Sequence, residues 1–384
     1  MRVRGAVPSS LLCLALMASC HRPPEQVADH VKRGDAALAA GRFSQAMVAY
    51  SLARELAPHD PEVQRALLRT RAFTMAATPE RVPPEAVEEA RYAAQLLLET
   101  DKGKEAIYLT ALGNLLARQR DPEGAKAKYA EALKADPNSA VAHTALGVAL
   151  MTTKEGRVRA KAELELALKA KPDHHPALLA LGQLKLGEGD LPGAAERLEA
   201  ALAQHDDIGA RMSLGMVRVQ QQKPADAVPH FQRAAQLDPK SPEPLRSLGQ
   251  ALLSMGNADE AERALRAAAQ MRPDGSTLIA LGFALERQKK PEQALGVFEQ
   301  ILAQEAGSAP ALFGAGASSE ALGRNEKALA YYDRLAAVRA EGNQKQMIAD
   351  LQKDAQARVT ALRAKAAPSG SASPKAGAAA PPKK

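Results

Sequence analysis

The chain has 384 residues, of which 46% are hydrophobic, 25% charged and only 3% aromatic, a globular composition whose abundant alanine and leucine favour packed helices over sheets. The net charge of +7 falls to +1 for residues 20–364, because two arginines and four lysines lie outside that range. A nearly neutral body argues against nucleic acid as a partner, since phosphate contacts need clustered basic side chains.

The first nineteen residues have the layout of a secretory signal peptide. Two arginines precede a short apolar run over 11–18, which is too short to span a bilayer. Met17-Ala18-Ser19-Cys20 resembles the bacterial lipobox, with Met in place of its usual leading Leu. The resemblance implies cleavage before Cys20 and a diacylglycerol on its thiol. The alternative is an ordinary cleaved signal with an incidental cysteine.

We therefore predict a lipoprotein signal peptide over 1–19, lipidation of Cys20, and a tether over 20–26. Several acyl chains on one residue give stable anchoring. The expected location is the bacterial cell envelope, with the chain anchored by lipid to the outer membrane and facing the periplasm.

The residues that follow contain an internal repeat with a period close to 34. Its first marker is a glycine, found at Gly34, Gly113, Gly147, Gly182, Gly215, Gly249, Gly282 and Gly316. An alanine follows twelve or thirteen residues later, and an aromatic residue or leucine four residues after that, as in Ala125 and Tyr129. Proline then breaks the helix, as at Pro137. This pattern resembles the tetratricopeptide repeat.

The resemblance implies an all-α fold, a right-handed superhelical solenoid of antiparallel helix pairs. The predicted array covers 27–342, with eight clear repeats at 27–60, 106–139, 140–174, 175–207, 208–241, 242–274, 275–308 and 309–342. We interpret 61–105 as a divergent ninth repeat with an insertion. A long coiled coil is excluded by the regular proline and glycine breaks.

The C-terminal part divides into a helix and a tail. Apolar residues at helical spacing between Ile348 and Leu362 predict a capping helix over 343–365. The Ala/Pro/Lys segment 366–384 has no core-forming residues, and we expect it to be disordered.

Sequence motifs give no indication of catalysis, so we predict a protein that is not an enzyme and needs no cofactor or metal. Gly314-Ala315-Gly316 superficially resembles a nucleotide turn, but it occupies the packing position of a repeat. Two His/Asp groups, 173–175 and 205–207, lie at neighbouring repeat junctions. Imidazole and carboxylate can bind a transition metal, yet no spacing defines a coordination geometry, and we interpret both groups as exposed polar turns.

In this family ligands usually lie in the concave groove, which the first helix of each repeat lines. The family's groove positions that we assign to partner binding are Val148, Met151, Leu179, Met212, Met216, Val219, Arg246, Phe283 and Arg287. Thr110, Asn114 and Thr144 also fall on groove positions, but Thr110 replaces the lysine that a carboxylate-gripping subtype needs. An alternative is that several of these side chains pack between repeats.

The predicted function is a non-catalytic, membrane-anchored scaffold or adaptor that binds protein or peptide segments and supports assembly of an envelope complex. It resembles bacterial tetratricopeptide lipoproteins of the outer membrane. The apolar, methionine-rich groove suits varied apolar partners, and two arginines favour an acidic segment on one side. The alternative is a glycan-binding or polysaccharide-export component, for which the groove offers only Phe283 and Phe313.

Overall fold

The computed structural model describes residues 25–39, 42–67, 70, 91–92, 94–95, 98–99, 103, 105–339 and 342–366. The predicted signal peptide, the residues up to 24, much of 61–105 and the predicted tail after Ala366 lie outside the described residues. Contact clustering divides the chain into two compact units. Unit 1 ends at Gln221 and unit 2 begins at Gln222, so the boundary falls inside the predicted repeat 208–241.

Every regular element in the described residues is helical, which confirms the all-α prediction. Unit 1 contains α1 (Glu25–Ala39), α2 (Phe43–Leu56), α3 (Glu105–Arg118), α4 (Pro122–Ala135), α5 (Ala140–Leu150), α6 (Lys154–Ala170), α7 (His175–Glu188), α8 (Leu191–Gln204) and α9 (Ile208–Gln220). Unit 2 contains α10 (Pro224–Leu237), α11 (Pro242–Ser254), α12 (Ala258–Met271), α13 (Gly275–Arg287), α14 (Pro291–Gln304), α15 (Ala309–Ala321), α16 (Asn325–Ala336), a 3₁₀ turn (Gly342–Gln344) and α17 (Lys345–Ala366).

Local sequence explains where the helices begin and end. Before α4, α8 and α9 an aspartate caps the helix by accepting a hydrogen bond from a backbone N–H, as Asp121 does from Gly124 at 2.9 Å. A proline in the first turn of α4 and α8 stabilises the same end. Helix α7, the first helix of its pair, ends at the left-handed residue Gly189, whose φ is +82°.

Consecutive helices pack as pairs, and the pairs stack. Within unit 1, α1 packs on α2, α3 on α4, α5 on α6 and α7 on α8; the second helix of each of the last three pairs packs on the helix that follows it. Unit 2 repeats this arrangement from α10 to α17. Each unit is therefore a solenoid of helix hairpins, in which the first helix of a pair lies between two second helices.

Close approach within a pair depends on the repeated glycine. A β-carbon on Gly182 would lie 2.7 Å from the Leu198 side chain, and one on Gly249 would lie 2.5 Å from Leu265. The alanines four residues before these leucines, Ala194 and Ala261, are fully buried at the same contacts. Helix axes can approach to about 8–10 Å only where such small residues meet.

Candidate functional site

The first helices of successive pairs form a continuous surface in unit 1. Helix α3 contacts α5, α5 contacts α7, and α7 contacts α9, although each pair is separated in sequence by a second helix. Side chains that point away from the second helices are therefore brought side by side. This surface, which we call the inner face of unit 1, corresponds to the predicted groove.

Six predicted groove residues belong to the inner face of unit 1. Val148 and Met216 are its most exposed members, with 49% and 43% of their surfaces accessible. The other four are half-buried: Met151, Leu179, Met212 and Val219. Met151 and Leu179 also pack against the core. For these two residues, the alternative that groove side chains pack between repeats applies. The inner face thus has an apolar floor with two exposed side chains.

Compared with the predicted groove, the exposed surface includes one further apolar residue and lacks two polar residues. Val141 lies two turns before Val148 on α5 and is 39% exposed, a position that helical spacing alone could have indicated. Thr110 and Thr144, which fall on groove positions in the sequence, are buried. Each donates its hydroxyl to the carbonyl four residues earlier, at 2.6 and 2.7 Å, and so satisfies its polar atom inside the helix.

Two amides at groove positions are bound by neighbouring side chains. Asn114 Oδ1 accepts a hydrogen bond of 2.7 Å from the Tyr129 hydroxyl, and Gln183 Nε2 donates to Ser213 Oγ at 3.2 Å. Burial raises the pKa of Tyr129 to about 12, so its hydroxyl remains a donor at neutral pH. Asn114 is therefore hydrogen-bonded within its own helix pair. This arrangement gives no support for a role of Asn114 in binding a carboxylate.

Charged side chains near the inner face neutralise one another. Helix α5 contains no Asp, Glu, Lys or Arg. On α7 and α9, Lys185 Nζ lies 2.6 Å from Asp190, Arg211 Nε lies 2.7 Å from Asp206, and Arg218 pairs with Glu199. Each basic side chain on the described helices α5, α7 and α9 therefore has an acidic partner.

The groove residues predicted in unit 2 have partners within that unit. Arg246 Nη1 lies 3.5 Å from Asp274, and Arg287 Nη1 donates to the carbonyl of Leu253 at 2.7 Å. Phe283 packs edge-to-face on Phe298, with ring centroids 5.3 Å apart. Asp274 thus offsets the charge of Arg246, whereas the bond from Arg287 to a neutral carbonyl leaves its charge in place.

Phe313, the other aromatic residue considered for glycan stacking, lies beneath the guanidinium of Arg358, 5.6 Å from its ring centroid. Arg358 also donates to Glu320 at 2.8 Å. Because the last helix covers part of this ring, the glycan-binding alternative gains no support from unit 2.

The two His/Asp groups do lie together, at the junction between α7 and α9. His175 Nε2 is 2.6 Å from Asp207 Oδ2, and the His175 and His205 rings meet edge-to-face at 5.7 Å. Among the described residues no group of three or more His, Cys, Asp or Glu side chains could hold a metal ion. The arrangement is a helix junction in which a histidine contacts an aspartate.

Burial at this junction differs from the exposed turns that we expected. His174 is only 6% exposed, and burial lowers its pKa to about 4. Burial opposes ionisation of Asp207, but hydrogen bonds from His175 and from the backbone N–H of Ala210 hold the pKa of that carboxyl below its usual value. At neutral pH His174 is therefore neutral and Asp207 charged.

Cys20, the predicted lipidation site, lies outside the described residues. None of the described helices combines the length and the apolar character that a membrane crossing needs.

Stacked helix hairpins in which a glycine lies against an aromatic or leucine side chain define a helical-repeat protein. The family model of the tetratricopeptide repeat matches residues 110–175, 179–242 and 279–343, and a second model of that repeat matches 218–281. Together these matches cover more than half of the chain. The chain belongs to the tetratricopeptide repeat family, whose members bind protein or peptide partners and are generally non-catalytic scaffolds.

Individual relatives are similar over parts of the chain. Anaphase-promoting complex subunit 7 of Arabidopsis thaliana is 33% identical over 111 residues, which is 29% of this chain and 20% of that protein. The chain thus matches about a fifth of the length of this relative.

Solved structures share the fold at lower sequence identity. The APC/C hetero-tetramer Cut9–Hcn1 is 19% identical with a TM-score of 0.56, over 75% of this chain and 55% of that chain. The structure of YrrB, described as a TPR protein with an unusual peptide-binding site, is 22% identical with a TM-score of 0.43, over 48% of this chain and 95% of its own.

Proposed function

We propose that this chain is a lipid-anchored scaffold that binds an apolar protein or peptide segment on the inner face of unit 1 and supports assembly of a complex in the bacterial cell envelope. One observation carries the proposal. Helices α5, α7 and α9 place Val148 and Met216 in solvent on a floor of half-buried apolar side chains. A contiguous apolar surface of this kind on a folded domain marks an interaction site.

The chemistry of this surface specifies the kind of partner. The neighbouring basic residues are already ion-paired, so an amphipathic helix or an extended segment with apolar side chains fits better than an acidic tail. Methionine side chains at two of the positions adapt to irregular apolar shapes, since their three rotatable bonds allow repacking. The proposed partner therefore contributes apolar side chains at helical or alternating spacing.

The proposed anchor is the lipobox-like sequence that ends at Cys20, which is followed by a short tether before α1. Replacing Cys20 by Ser removes the only side chain that can form the thioether. We expect the Cys20→Ser protein to retain its signal peptide and to incorporate no labelled palmitate, in contrast to the unmodified chain. Equal incorporation by this variant would contradict the anchor.

Partner binding can be tested separately from the anchor. The double variant Val148→Glu with Met216→Glu places two charges on the inner face, and both side chains are exposed enough to be replaced without opening the core. Affinity capture from detergent-solubilised membranes, followed by mass spectrometry, should recover a partner with the unmodified chain. We expect the double variant to reduce that recovery at least tenfold.

Val158→Glu is the matched control, because Val158 is 77% exposed on α6, a second helix, and therefore lies off the inner face. It should recover the partner as the unmodified chain does. Circular dichroism must show equal helicity for all three proteins. Equal recovery by the folded double variant would place the binding surface elsewhere.

A further inference from the structure

We propose that the N-terminal helix pair docks on the phospholipid surface through an exposed apolar stripe on α2, formed by Val48, Leu52 and Leu56. This inference rests on the lipid anchor of the proposed function. It assigns a second membrane contact, made by the folded part of the chain.

The stripe follows one side of the helix. Its three residues are spaced four apart, which places them one above another on an α-helix. Val48 is 61% exposed, Leu52 40% and Leu56 47%, although all three are aliphatic. The opposite side of α2 is fully buried at Ala46, Tyr50 and Ala53, where it faces the core of the helix pair. Helix α2 therefore has two apolar sides, and only one of them has a partner within the pair.

Packing places the stripe at the same end of the helix pair as the proposed anchor. Ala53 shares a core cluster with Val27, the third residue of α1. Leu52 and Leu56 lie next to Ala53 along α2, so they are level with the first turn of α1. Helix α1 begins at Glu25, five residues after Cys20, and five extended residues span at most about 18 Å. The lipid surface and the stripe are thus held close together.

The size of the stripe favours lipid over a protein partner. Three side chains on one helix offer a small fraction of the roughly 1,000 Å² that a specific protein interface needs. A lipid surface requires no complementary shape, and a short tether raises its effective concentration next to the stripe. Glu55 is exposed at the edge of the stripe, where its charged end can stay in the headgroup region while the leucines enter the acyl boundary.

The test measures the depth of single labels in the full-length lipidated protein. The chain has two cysteines, Cys13 and Cys20; cleavage before Cys20 removes the first, and acylation blocks the second. Leu52→Cys then provides the only free thiol, which can carry an environment-sensitive fluorophore. The protein is reconstituted on vesicles of phosphatidylethanolamine and phosphatidylglycerol that contain spin-labelled lipid as quencher. Val158→Cys on α6 is the control, since its side chain is also exposed and aliphatic.

We expect quenching at position 52 to exceed that at 158 at least threefold, with a blue-shifted emission at 52. Equal quenching at the two positions, with the protein still bound to vesicles, would overturn the docking inference and leave the anchor intact. Recovery of unacylated protein in the soluble fraction would instead overturn the anchor, and docking with it.

A second copy of the chain is the other candidate occupant of the stripe. A labelled chain that begins at residue 20, made without the signal peptide and with Cys20→Ser and Leu52→Cys, has its only thiol at position 52 and tests this in the absence of vesicles. We expect its emission to be independent of protein concentration. A blue shift that grows with concentration would assign the stripe to self-association and overturn the lipid assignment.

Discussion

The ring of Phe298 occupies the space in which a side chain at position 282 would lie: a β-carbon on Gly282 would come within 2.5 Å of its Cε1 atom. Phe298 is completely buried and also lies against Gly314 of the next helix pair. The ring therefore fills a slot between two glycines. This slot accounts for Gly314, and Gly316 lies against Tyr332 in the same way, so packing explains both glycines of Gly314-Ala315-Gly316.

Gly282→Val should destabilise unit 2 by about 1–3 kcal/mol, because the added atoms must displace a buried ring. Thermal and urea unfolding followed by circular dichroism measure the effect. Gly296→Ala is the matched control, since Gly296 lies on α14 with nothing within 4 Å of the added carbon, and there we expect a gain of about 0.5–1 kcal/mol. Equal midpoints for the two variants would mean that α13 and α14 are not in close contact at this slot.

Arg120 adopts a left-handed conformation, with φ at +64°, at a turn where other pairs have glycines such as Gly256 and Gly323. The β-carbon of a non-glycine residue is strained in this region by roughly 1–2 kcal/mol. We expect Arg120→Gly to stabilise unit 1 by about 0.5–1 kcal/mol, measured by urea unfolding. The gain is smaller than the relieved backbone strain because glycine has greater freedom in the unfolded chain. Gly256→Ala should shift stability in the opposite direction in unit 2. A loss of stability in Arg120→Gly would show that its side chain has an interaction worth more than the strain.

Acid should weaken unit 1 through His174. Its folded pKa of about 4 lies below the unfolded value near 6.5, so between these values the unfolded chain binds the proton and the folded chain does not. The free energy of unfolding is therefore highest above pH 6.5, where the ring is neutral in both states. It decreases by roughly 2–3 kcal/mol as the pH falls toward 4.

His174→Gln cannot titrate, and we expect it to flatten the dependence of the unfolding midpoint on pH between 7 and 4.5. The exposed His59 provides the control His59→Gln, which should retain the slope of the unmodified protein. An unaltered slope in His174→Gln would indicate that another group causes the acid sensitivity.

Arg358 holds α17 against α15 through Phe313 and Glu320. Arg358→Ala should weaken docking of α17 by about 1 kcal/mol, because a cation–π contact and a partly buried ion pair are both lost. Hydrogen exchange of residues 345–366 should then increase several-fold. Arg363→Ala, which removes only a solvent-exposed pair with Asp333, should leave this exchange unchanged. Equal protection in Arg358→Ala would mean that the apolar residues alone hold the last helix.

Sequence alone determined the helix pairs, because their signals are local. A period of 34 with glycine opposite an aromatic or leucine, as at Gly282 and Phe298, specifies which residues meet across a hairpin. The aspartate caps and the proline breaks specify where helices begin and end. These features depend on neighbours within one hairpin, so the spacing of residues along the chain contains enough information.

Only the tertiary structure decided which groove positions are available to a partner. Thr144 and Val148 are separated by one turn on α5, yet the first is buried and the second exposed, since burial depends on how α5 sits between its neighbours. Arg246 and Arg287 contact Asp274 and the Leu253 carbonyl, which the sequence pattern did not indicate, and their role in partner binding stays a prediction. Both acceptors are about thirty residues away in sequence and adjacent only because the hairpins stack, a non-local contact that no local pattern specifies.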